Sequence, residues 1–159
     1  MTSVRKKFDD AAGKICEVLI PVRHETFFGK GKETAICTLG SIDLLEEISH
    51  SDLMDRIVLA GRLLSENKGI DAVIRFSVKN PELRRIVLCG KDVRGHFAGQ
   101  ALLSLYKNGV DGSNRIIGAK GHYPILQSSK EQITLFRKQV VINDMLGVTD
   151  LESISALIA

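Results

Sequence analysis

Short apolar segments rich in β-branched residues recur along the chain, and segments with a helical period lie between them. This alternation is typical of βα units that build a mainly parallel sheet, so it predicts an α/β fold of about five or six strands. Ahead of the strands we expect an N-terminal helix of about fifteen residues and a loop, HETFFGKGKE. The strands themselves are expected near Thr34 to Leu39, Arg56 to Ala60, Arg85 to Cys89, Arg115 to Ile117 and Gln139 to Asn143.

Two helices are indicated by residues that fall on one face at i, i+3, i+4 and i+7. The first should end at Asn80, because the residue before Pro81 avoids the helical conformation. The second should end at Gly109, which can adopt a left-handed cap. Both helices should pack on the sheet through these positions, which are Ile70, Val73, Ile74 and Ser77 in the first and Ala98, Ala101, Leu102 and Leu105 in the second.

No internal repeat or linker interrupts this pattern, so a single domain over residues 1–159 is predicted. We expect a helix and loop in residues 1–30, an α/β core in residues 34–148 and a C-terminal helix in residues 149–159. A chain of 159 residues has the length of one ordinary domain, which agrees with this division.

Composition and charge narrow the class of protein. With 44% hydrophobic and 26% charged residues, the chain has the balance of a soluble globular protein. Its net charge of +3 is too small to indicate a nucleic-acid or membrane surface. No segment approaches the roughly 18 consecutive apolar residues of a membrane span, and no signal-peptide core follows the first basic residues. We expect a cytoplasmic protein with Cys16, Cys37 and Cys89 as buried, reduced thiols.

Glycine recurs in the segments that follow the predicted strands, where open parallel sheets bind their ligands. These segments are Leu39–Ser41, Gly61–Gly69, Gly90–His96 and Gly118–Gly121. Glycine allows the backbone to approach a ligand closely, so the four loops could form a floor under something large and flat. The alternative, that the glycines only turn the chain, stays open at each loop.

His96 follows the third predicted strand and opens the next helix, in G-K-D-V-R-G-H-F-A-G-Q. Gly95 and Gly99 leave room around its imidazole, and Asp92 and Gln100 lie within reach as hydrogen-bond partners. Such a histidine can hold a metal, because a partner on its second nitrogen fixes the tautomer. It can also be a capping or surface histidine. No zinc-site spacing accompanies it, so a metal bound there should bring its own ligands, as a macrocycle does.

A succession of motifs between Glu66 and Val148 resembles one known family. In order they read E-N-x-G-I, N-P-x-x-R, L-C-G-x-D/E-V-x-G-H-x-x-G-Q, N-G-V-D, I-I-G-A-x-G and F-R-x-Q-V-x-x-x-D-M, after T-L-G-S at Thr38–Ser41. Through them the chain is similar to the A subunit of tetrahydromethanopterin S-methyltransferase, the cobalamin-carrying subunit of methanogenic archaea. The resemblance covers more than half of the chain.

The resemblance implies a Rossmann-like three-layer sandwich that binds a cobamide, with His96 as the lower axial ligand of the cobalt. It also implies a methyl group carried on cobalt, from a methylated pterin or another donor to a thiol such as coenzyme M. Donor and acceptor methyltransferase proteins would then be partners, without nucleic acid or direct membrane insertion. The family motifs supply the other candidate cofactor residues: Gly40, Ser41, Glu66, Asn67, Gly95, Gln100, Gly118 and Gly121.

Several positions depart from the family pattern. Gly61–Asn67 stands where the family has G-P-C-K-T-E-N, Asp92 where it usually has Glu, and Gly118–Pro124 where it has G-A-T-G-A-I-P. The complex-forming member of the family carries a C-terminal membrane-anchoring helix, and this sequence ends at Ala159 without one. We therefore expect a free cytoplasmic homologue, whose methyl donor and acceptor can differ from those of the membrane complex.

Two other functions stay open on the sequence alone. One is non-catalytic cobamide binding or storage, and the other is binding of a phosphate, a nucleotide or an RNA backbone by Gly118–Gly121. A nucleophile and base pair of Cys89 with His96 is less favoured, because a cysteine inside a buried strand is usually inert. Stacking on a macrocycle is considered for Phe97 and Tyr123, although core packing is the more frequent role of such residues.

Overall fold

Among residues 26–159, which the computed structural model describes, five strands form one sheet. They are β1 (Thr26–Phe28), β2 (Thr34–Cys37), β3 (Leu59–Gly61), β4 (Arg85–Gly90) and β5 (Val141–Leu146). The helices of the same region are α1 (Ile42–Ser49), α2 (Lys68–Lys79), α3 (Ala98–Asn108), α4 (Lys130–Gln139) and α5 (Leu151–Ile158), with a 3₁₀ turn at Asp52–Asp55. The predicted N-terminal helix and Cys16 lie outside the described residues.

The sheet is mainly parallel, with the strand order β1-β3-β2-β4-β5. Strands β3, β2, β4 and β5 run parallel to one another, and β1 pairs antiparallel with β3 at the edge. Side chains alternate between faces along β2: Ala35 and Cys37 pack with α2, α3 and α4, and Ile36 packs with α1 and α5. A layer of helices therefore covers each face. The predicted Rossmann-like three-layer α/β sandwich is confirmed.

The helices predicted from apolar spacing are α2 and α3, and both end as expected. Asn80 is the residue after α2, and its N–H bonds back to the carbonyls of Phe76 and Ser77. Gly109 follows α3 with a φ of 73°, a conformation that glycine adopts without the strain that a side chain would bring. Helices α1 and α4 are not predicted from the sequence in this way.

The loop predicted for HETFFGKGKE is wrong at Thr26–Phe28, which forms β1. The turn that follows is nevertheless made by glycines. Gly29 N–H donates to Val58 O and Gly31 N–H to Ile57 O, both at 2.9 Å. A Cβ at either glycine would collide with neighbouring backbone, so the turn can pack against the segment before β3 only without side chains. This close approach lets a short antiparallel strand pair with the sheet edge.

The strand predicted at Arg115–Ile117 is also wrong, because its backbone bonds are made inside a loop. Ile116 forms an isolated bridge with Val110, and Arg115 forms one with Ile125. Ile116 N–H donates to Pro124 O at 2.9 Å, so none of these residues joins the sheet. The two adjacent isoleucines, Ile116 and Ile117, therefore give the sequence signal of a strand although they lie in a folded-back loop.

Two predicted strands are shifted by neighbouring helical turns. The strand expected near Arg56 to Ala60 begins only at Leu59, because Arg56 still bonds to Leu53 O and closes the 3₁₀ turn. The strand expected near Gln139 to Asn143 begins at Val141, because α4 continues to Gln139. Strands β2 and β4 lie where they are predicted.

Within residues 26–159 no helix combines the length and the apolar character that crossing a bilayer requires. The two described cysteines lie on opposite faces of the sheet, Cys37 in the cluster under α2, α3 and α4 and Cys89 in the cluster under α1 and α5. Both are free thiols, and burial raises the pKa of each to about 12. The thiols therefore stay protonated at neutral pH.

We expect Cys37 and Cys89 to resist alkylation in the folded protein. Because the thiolate is the nucleophile and both sulfurs are buried, iodoacetamide at about pH 8 should leave them unmodified until the chain is unfolded. Peptide mapping by mass spectrometry before and after denaturation measures this difference. Equal rates of modification in the folded and unfolded chain would contradict the described burial.

The buried carboxylate of Asp71, on α2, binds the loop before α4. Asp71 is 3% exposed and accepts hydrogen bonds from the N–H groups of Gln127 and Ser128 and from the Ser128 hydroxyl. Since α2 also follows the loop that contains Glu66, this attachment helps to hold the long 109–129 segment over one end of the sheet.

Replacement of Asp71 by alanine should lower the free energy of unfolding by about 3 kcal/mol, because several polar groups lose a buried acceptor. Urea unfolding followed by circular dichroism measures the change. The matched control is Glu47→Ala, which removes an exposed carboxylate on α1 and should change stability by no more than about 0.5 kcal/mol. A loss in Asp71→Ala as small as that of the control would contradict the anchoring role.

Candidate functional site

The carboxyl ends of β2, β3 and β4 lie side by side in the sheet, and the loops that follow them meet at one edge. The segments concerned are 38–41, 62–67 and 91–97. A fourth segment, 118–123, does not follow a strand of the sheet but is joined to the other loops by hydrogen bonds. The structure therefore brings together all four of the glycine-containing loops selected from the sequence.

His96 lies in the turn before α3 and is held by a buried carboxylate. Its Nδ1 is 2.8 Å from Oε2 of Glu66. The His96 side chain is 57% exposed, whereas that of Glu66 is 3% exposed. Among the described residues, Nε2 of His96 has no hydrogen-bond partner. One nitrogen of the ring is thus held by Glu66, and the other makes no hydrogen bond to the described residues.

The backbone on both sides of His96 is left-handed. Gly95 has a φ of 83° and Phe97 a φ of 49°. A Cβ at Gly95 would meet nothing within 4 Å, so glycine is favoured there by its conformation and not by a lack of space. Phe97 is a non-glycine residue in this region, and such strain is stored where the surrounding structure fixes it.

Asp92 fixes the other end of this turn. Its Oδ1 accepts the N–H groups of Val93 and Gly99 at 2.8 Å, and its Oδ2 accepts that of Gln100 at 2.9 Å. The carboxylate therefore caps the first turn of α3, where backbone N–H groups lack helical acceptors and the helix dipole favours negative charge. The expectation that Asp92 is a partner of His96 is wrong for this reason.

Gln100 is likewise not the partner of His96. Its Nε2 donates to the carbonyl of Gly118 at 2.9 Å, and its Oε1 accepts the N–H of Lys120 at 2.9 Å. With one donated and one accepted hydrogen bond, the side chain joins the first turn of α3 to the 118–120 loop. Gly118 has a φ of 88°, which glycine tolerates, so the carbonyl can reach this partner.

Glu66 connects His96 to the 121–123 loop. Its Oε1 accepts the N–H of Tyr123 at 3.1 Å. The neighbouring Asn67 donates from Nδ2 to the Tyr123 carbonyl at 3.0 Å, while its Oδ1 caps α2 by accepting the N–H of Lys68. Gly121 is buried against Glu66 and the backbone of His96. A Cβ at this glycine would come within 2.5 Å of the His96 carbonyl and 2.8 Å of Glu66 Cγ.

The charge state of Glu66 follows from these contacts. Burial raises the pKa of the carboxyl, but hydrogen bonds from its own N–H, from the Tyr123 N–H and from His96 outweigh that effect. The net result is a pKa below the ordinary value, so Glu66 is a carboxylate at neutral pH. A negatively charged acceptor thus lies under an exposed imidazole.

Gly40 and Ser41 contact the start of the His96 loop and not His96 itself. The Gly40 N–H donates to the Lys91 carbonyl, and the Ser41 hydroxyl accepts the Lys91 N–H, both at 2.9 Å. A Cβ at Gly90 would collide with the carbonyl of Thr38, so the β2 and β4 loops are in close backbone contact here. These residues hold the base of the loop in place.

Three apolar side chains are exposed on the segments that meet at this edge. Phe97 is 39%, Leu146 39% and Tyr123 61% exposed, and we call these three the apolar rim. The expectation that favours core packing for Phe97 and Tyr123 is wrong at both positions. Leu146, at the end of β5, is not found from the sequence because a leucine at the end of a strand carries no signal of exposure. A cluster of uncovered apolar residues beside a polar group is typical of a binding surface.

Other features of the described residues do not reach His96. An apolar groove of about 520 Å³ lies between α2 and the β1–β3 edge; it extends to Arg62 and Ser65 of the 62–67 loop, but neither His96 nor Glu66 lines it. No group of three or more His, Cys, Asp and Glu side chains in residues 26–159 is arranged to hold a metal. His96 is therefore not part of a conventional protein metal cluster in this part of the chain. Cys89 lies in the core, donating to the Cys37 carbonyl.

Comparisons with known proteins all point to one family. The family model that describes the A subunit of tetrahydromethanopterin S-methyltransferase matches residues 25–159. The chain is 32% identical over 146 residues, 91% of its length, to the A subunit of a putative methyltransferase, Mtx, of Methanosarcina acetivorans. It is 36% identical over 69% of its length to the protein of that name from Methanosarcina barkeri. It is 40% identical over 78% of its length to the A subunit, number 2, of the tetrahydromethanopterin S-methyltransferase of Methanothermobacter thermautotrophicus.

The matched region covers only part of these relatives. It spans 56% of the Methanosarcina barkeri protein, 66% of the Methanothermobacter thermautotrophicus protein and 70% of the Methanosarcina acetivorans protein. The family model nevertheless covers the whole described region, including Glu66, His96 and the 118–123 loop. The chain therefore belongs to the family of the tetrahydromethanopterin S-methyltransferase A subunit.

Proposed function

We propose that this protein binds a cobamide, with Nε2 of His96 as the lower axial ligand of the cobalt, and carries a methyl group between partner proteins. The donor is a methylated pterin or another methyl compound, and the acceptor is a thiol such as coenzyme M. The observation that carries the proposal is the exposed imidazole of His96 backed by the buried carboxylate of Glu66.

The donor set of the site fits a cobamide. A corrin supplies four equatorial nitrogens to its cobalt, so a protein has to add only one axial ligand. His96 belongs to no group of three or more such side chains among the described residues, and neutral imidazole is a nitrogen ligand that suits transition metals. A carboxylate on the second ring nitrogen is the usual outer partner of a ligating histidine.

The surface around His96 fits a broad, largely apolar ligand. Phe97, Tyr123 and Leu146 leave apolar area uncovered at the same edge as the imidazole, and burial of such area stabilises a complex by about 25 cal/mol per Å². The candidate residues Gly40, Ser41, Gly95, Gln100, Gly118 and Gly121 would act mainly by fixing the loops at this edge.

When bound, the cobamide would supply a cobalt centre that accepts and releases a methyl group. The protein would contribute binding, orientation and one axial nitrogen. Because His96 lies at an exposed edge, a donor or acceptor protein can approach the same side of the sheet. The family name describes one subunit of a methyltransferase, which supports the involvement of partner proteins.

The loop geometry argues against the alternative of phosphate binding at Gly118–Gly121. The N–H of Lys120 donates to Gln100 Oε1, and that of Ala119 donates to the Ile116 carbonyl. Amides that are engaged inside the protein are not free to surround a phosphate, as nucleotide-binding loops require. Cobamide storage without methyl transfer would use the same His96 site, and methylation of the reduced cofactor in the presence of a methyl donor separates it from the carrier function.

Absorbance spectroscopy with hydroxocobalamin tests the proposal. The purified wild-type protein should shift the visible bands of the cofactor, because an imidazole replaces another axial ligand. His96→Ala should abolish the shift. His50→Ala is the matched control, since His50 is an exposed histidine beyond the end of α1, and it should leave the shift intact. An identical shift in the wild type and in His96→Ala would contradict ligation by His96.

A further inference from the structure

The apolar groove between α2 and the β1–β3 edge is covered on one side only. Strand residues form its floor, and α2 is the only helix of the described residues that lines it. Phe28 lines the groove with 75% of its side chain exposed, the largest exposed fraction of any large apolar side chain in residues 26–159. Four more apolar residues of the groove are only partly buried: Leu59, Leu64, Val73 and Phe76. An uncovered apolar surface of this kind is typical of a place where another element packs.

The two faces of the sheet differ at this edge. Phe27 packs in the cluster under α1 and α5, so its neighbours Thr26 and Phe28 project to the opposite face, where both line the groove. Ala60 of β3 also packs in the cluster under α1 and α5. The β1–β3 edge is thus covered by helices on one face, and within residues 26–159 it has only the flank of α2 on the other.

The sequence ahead of Thr26 has the pattern that such a surface requires. Residues 1–25 lie outside the described residues, and their sequence predicts a helix. Apolar residues recur at intervals of three and four along one face: Val4, Phe8, Ala11, Ile15 and Leu19. Charged residues fall on the opposite face: Lys6, Asp9, Asp10 and Glu17. Most of the stability of an amphipathic helix comes from packing of its apolar face, so this segment needs an apolar surface.

We propose that residues 4–20 form a helix that packs its apolar face along this groove and completes the layer of α2, α3 and α4. The occupant of the groove is the N-terminal segment of the same chain. The proposal concerns a surface that His96 does not line, and it does not depend on the binding of a cobamide.

The connection to β1 sets the position and the direction of this helix. Pro21 ends it, because the residue before a proline avoids the helical conformation. Residues 21–25 then lead to Thr26, which itself lines the groove. A link of this length spans about 17 Å when extended and is usual between a helix and a strand. Since a short link makes the helix antiparallel to β1, and β1 is antiparallel to β3, the helix would run parallel to β3.

Charge favours the same direction. Thr26 pairs with Gly61 at the carboxyl end of β3, so the helix would end at this edge of the sheet. Two basic residues that line the groove, Arg62 and Lys68, lie at the same edge, after β3 and at the start of α2. Positive charge near the last turn of a helix is favourable, because the terminal carbonyls carry partial negative charge.

Fluorescence of a single tryptophan in the whole 159-residue chain tests the proposal. The sequence has no tryptophan, so Phe28→Trp places one indole on the floor of the groove. Under the helix, this indole should emit at shorter wavelength than an indole in water and resist quenching by acrylamide. Adding Ile15→Gln should shift the emission to longer wavelength and raise the quenching constant several-fold, because an amide on the apolar face opposes packing. Leu19→Gln, on the same face, should act in the same way.

Two controls separate packing in the groove from general effects. Glu17→Gln introduces the same side chain on the polar face of the segment, and it should leave emission and quenching unchanged. Leu135→Trp is a reference probe, since Leu135 is exposed on α4 and does not line the groove. Its emission should respond to neither glutamine. Circular dichroism identifies the variants that remain folded.

Three results would overturn the proposal. The first is an indole at position 28 that is as solvated and as readily quenched as the reference probe. The second is an emission that folded Ile15→Gln, Leu19→Gln and Glu17→Gln all leave unchanged or all change equally. The third is protection that disappears on dilution, together with the mass of a dimer by light scattering, which would assign the groove to a second copy of the chain.

Discussion

A hydrogen bond of 2.8 Å between a buried carboxylate and an exposed imidazole organises the candidate site. Glu66 ends the loop after β3, and His96 precedes α3 on the loop after β4, so the bond joins two strands that flank β2. The charge of Glu66 is retained because three N–H groups surround it. Without this partner, His96 would be one more exposed histidine on a loop with strained backbone.

The remaining contacts at this edge support that bond. Asp92 caps α3 and thereby fixes the turn that carries His96, and Gln100 joins the same helix to the 118–120 loop. Ser41 and Gly40 hold the base of the turn through Lys91. The residues that the family motifs select are thus mostly ones that position backbone. His96 and the apolar rim are exposed at this edge, together with the basic side chains of Lys91, Arg94 and Lys120.

Regular elements with a clear period could be predicted from the sequence. Ile70 and Ile74, or Ala101 and Leu105, lie one helical turn apart and are fully buried, so α2 and α3 carry an unambiguous signal. Strands β2 and β4 are also predicted correctly, because short continuous apolar runs are typical of buried strands. The signal fails at Arg115–Ile117, whose β-branched residues bond within a loop, and at Thr26–Phe28, which becomes a strand only through pairing with β3.

The partner of His96 could not be predicted from spacing. Glu66 lies thirty residues before it and reaches it only through the order of the strands. Asp92 and Gln100 are close in sequence and have suitable side chains. Their oxygens, however, accept hydrogen bonds from N–H groups of α3 and of the 118–120 loop, so neither side chain is the partner of His96. The family motifs select both His96 and Glu66, although not the fact that they form a pair. Local sequence thus selects His96, and the tertiary structure shows which side chain holds it.

Electron paramagnetic resonance of the reduced, Co(II) form of cobalamin bound to the protein tests the central claim most directly. A nitrogen axial ligand splits the cobalt lines into triplets when it is ¹⁴N and into doublets when it is ¹⁵N. If His96 is the ligand, protein labelled with ¹⁵N only in histidine will give doublets, and unlabelled protein will give triplets. Triplets from the labelled protein would show that the nitrogen belongs to the cofactor's own base, and they would contradict the account.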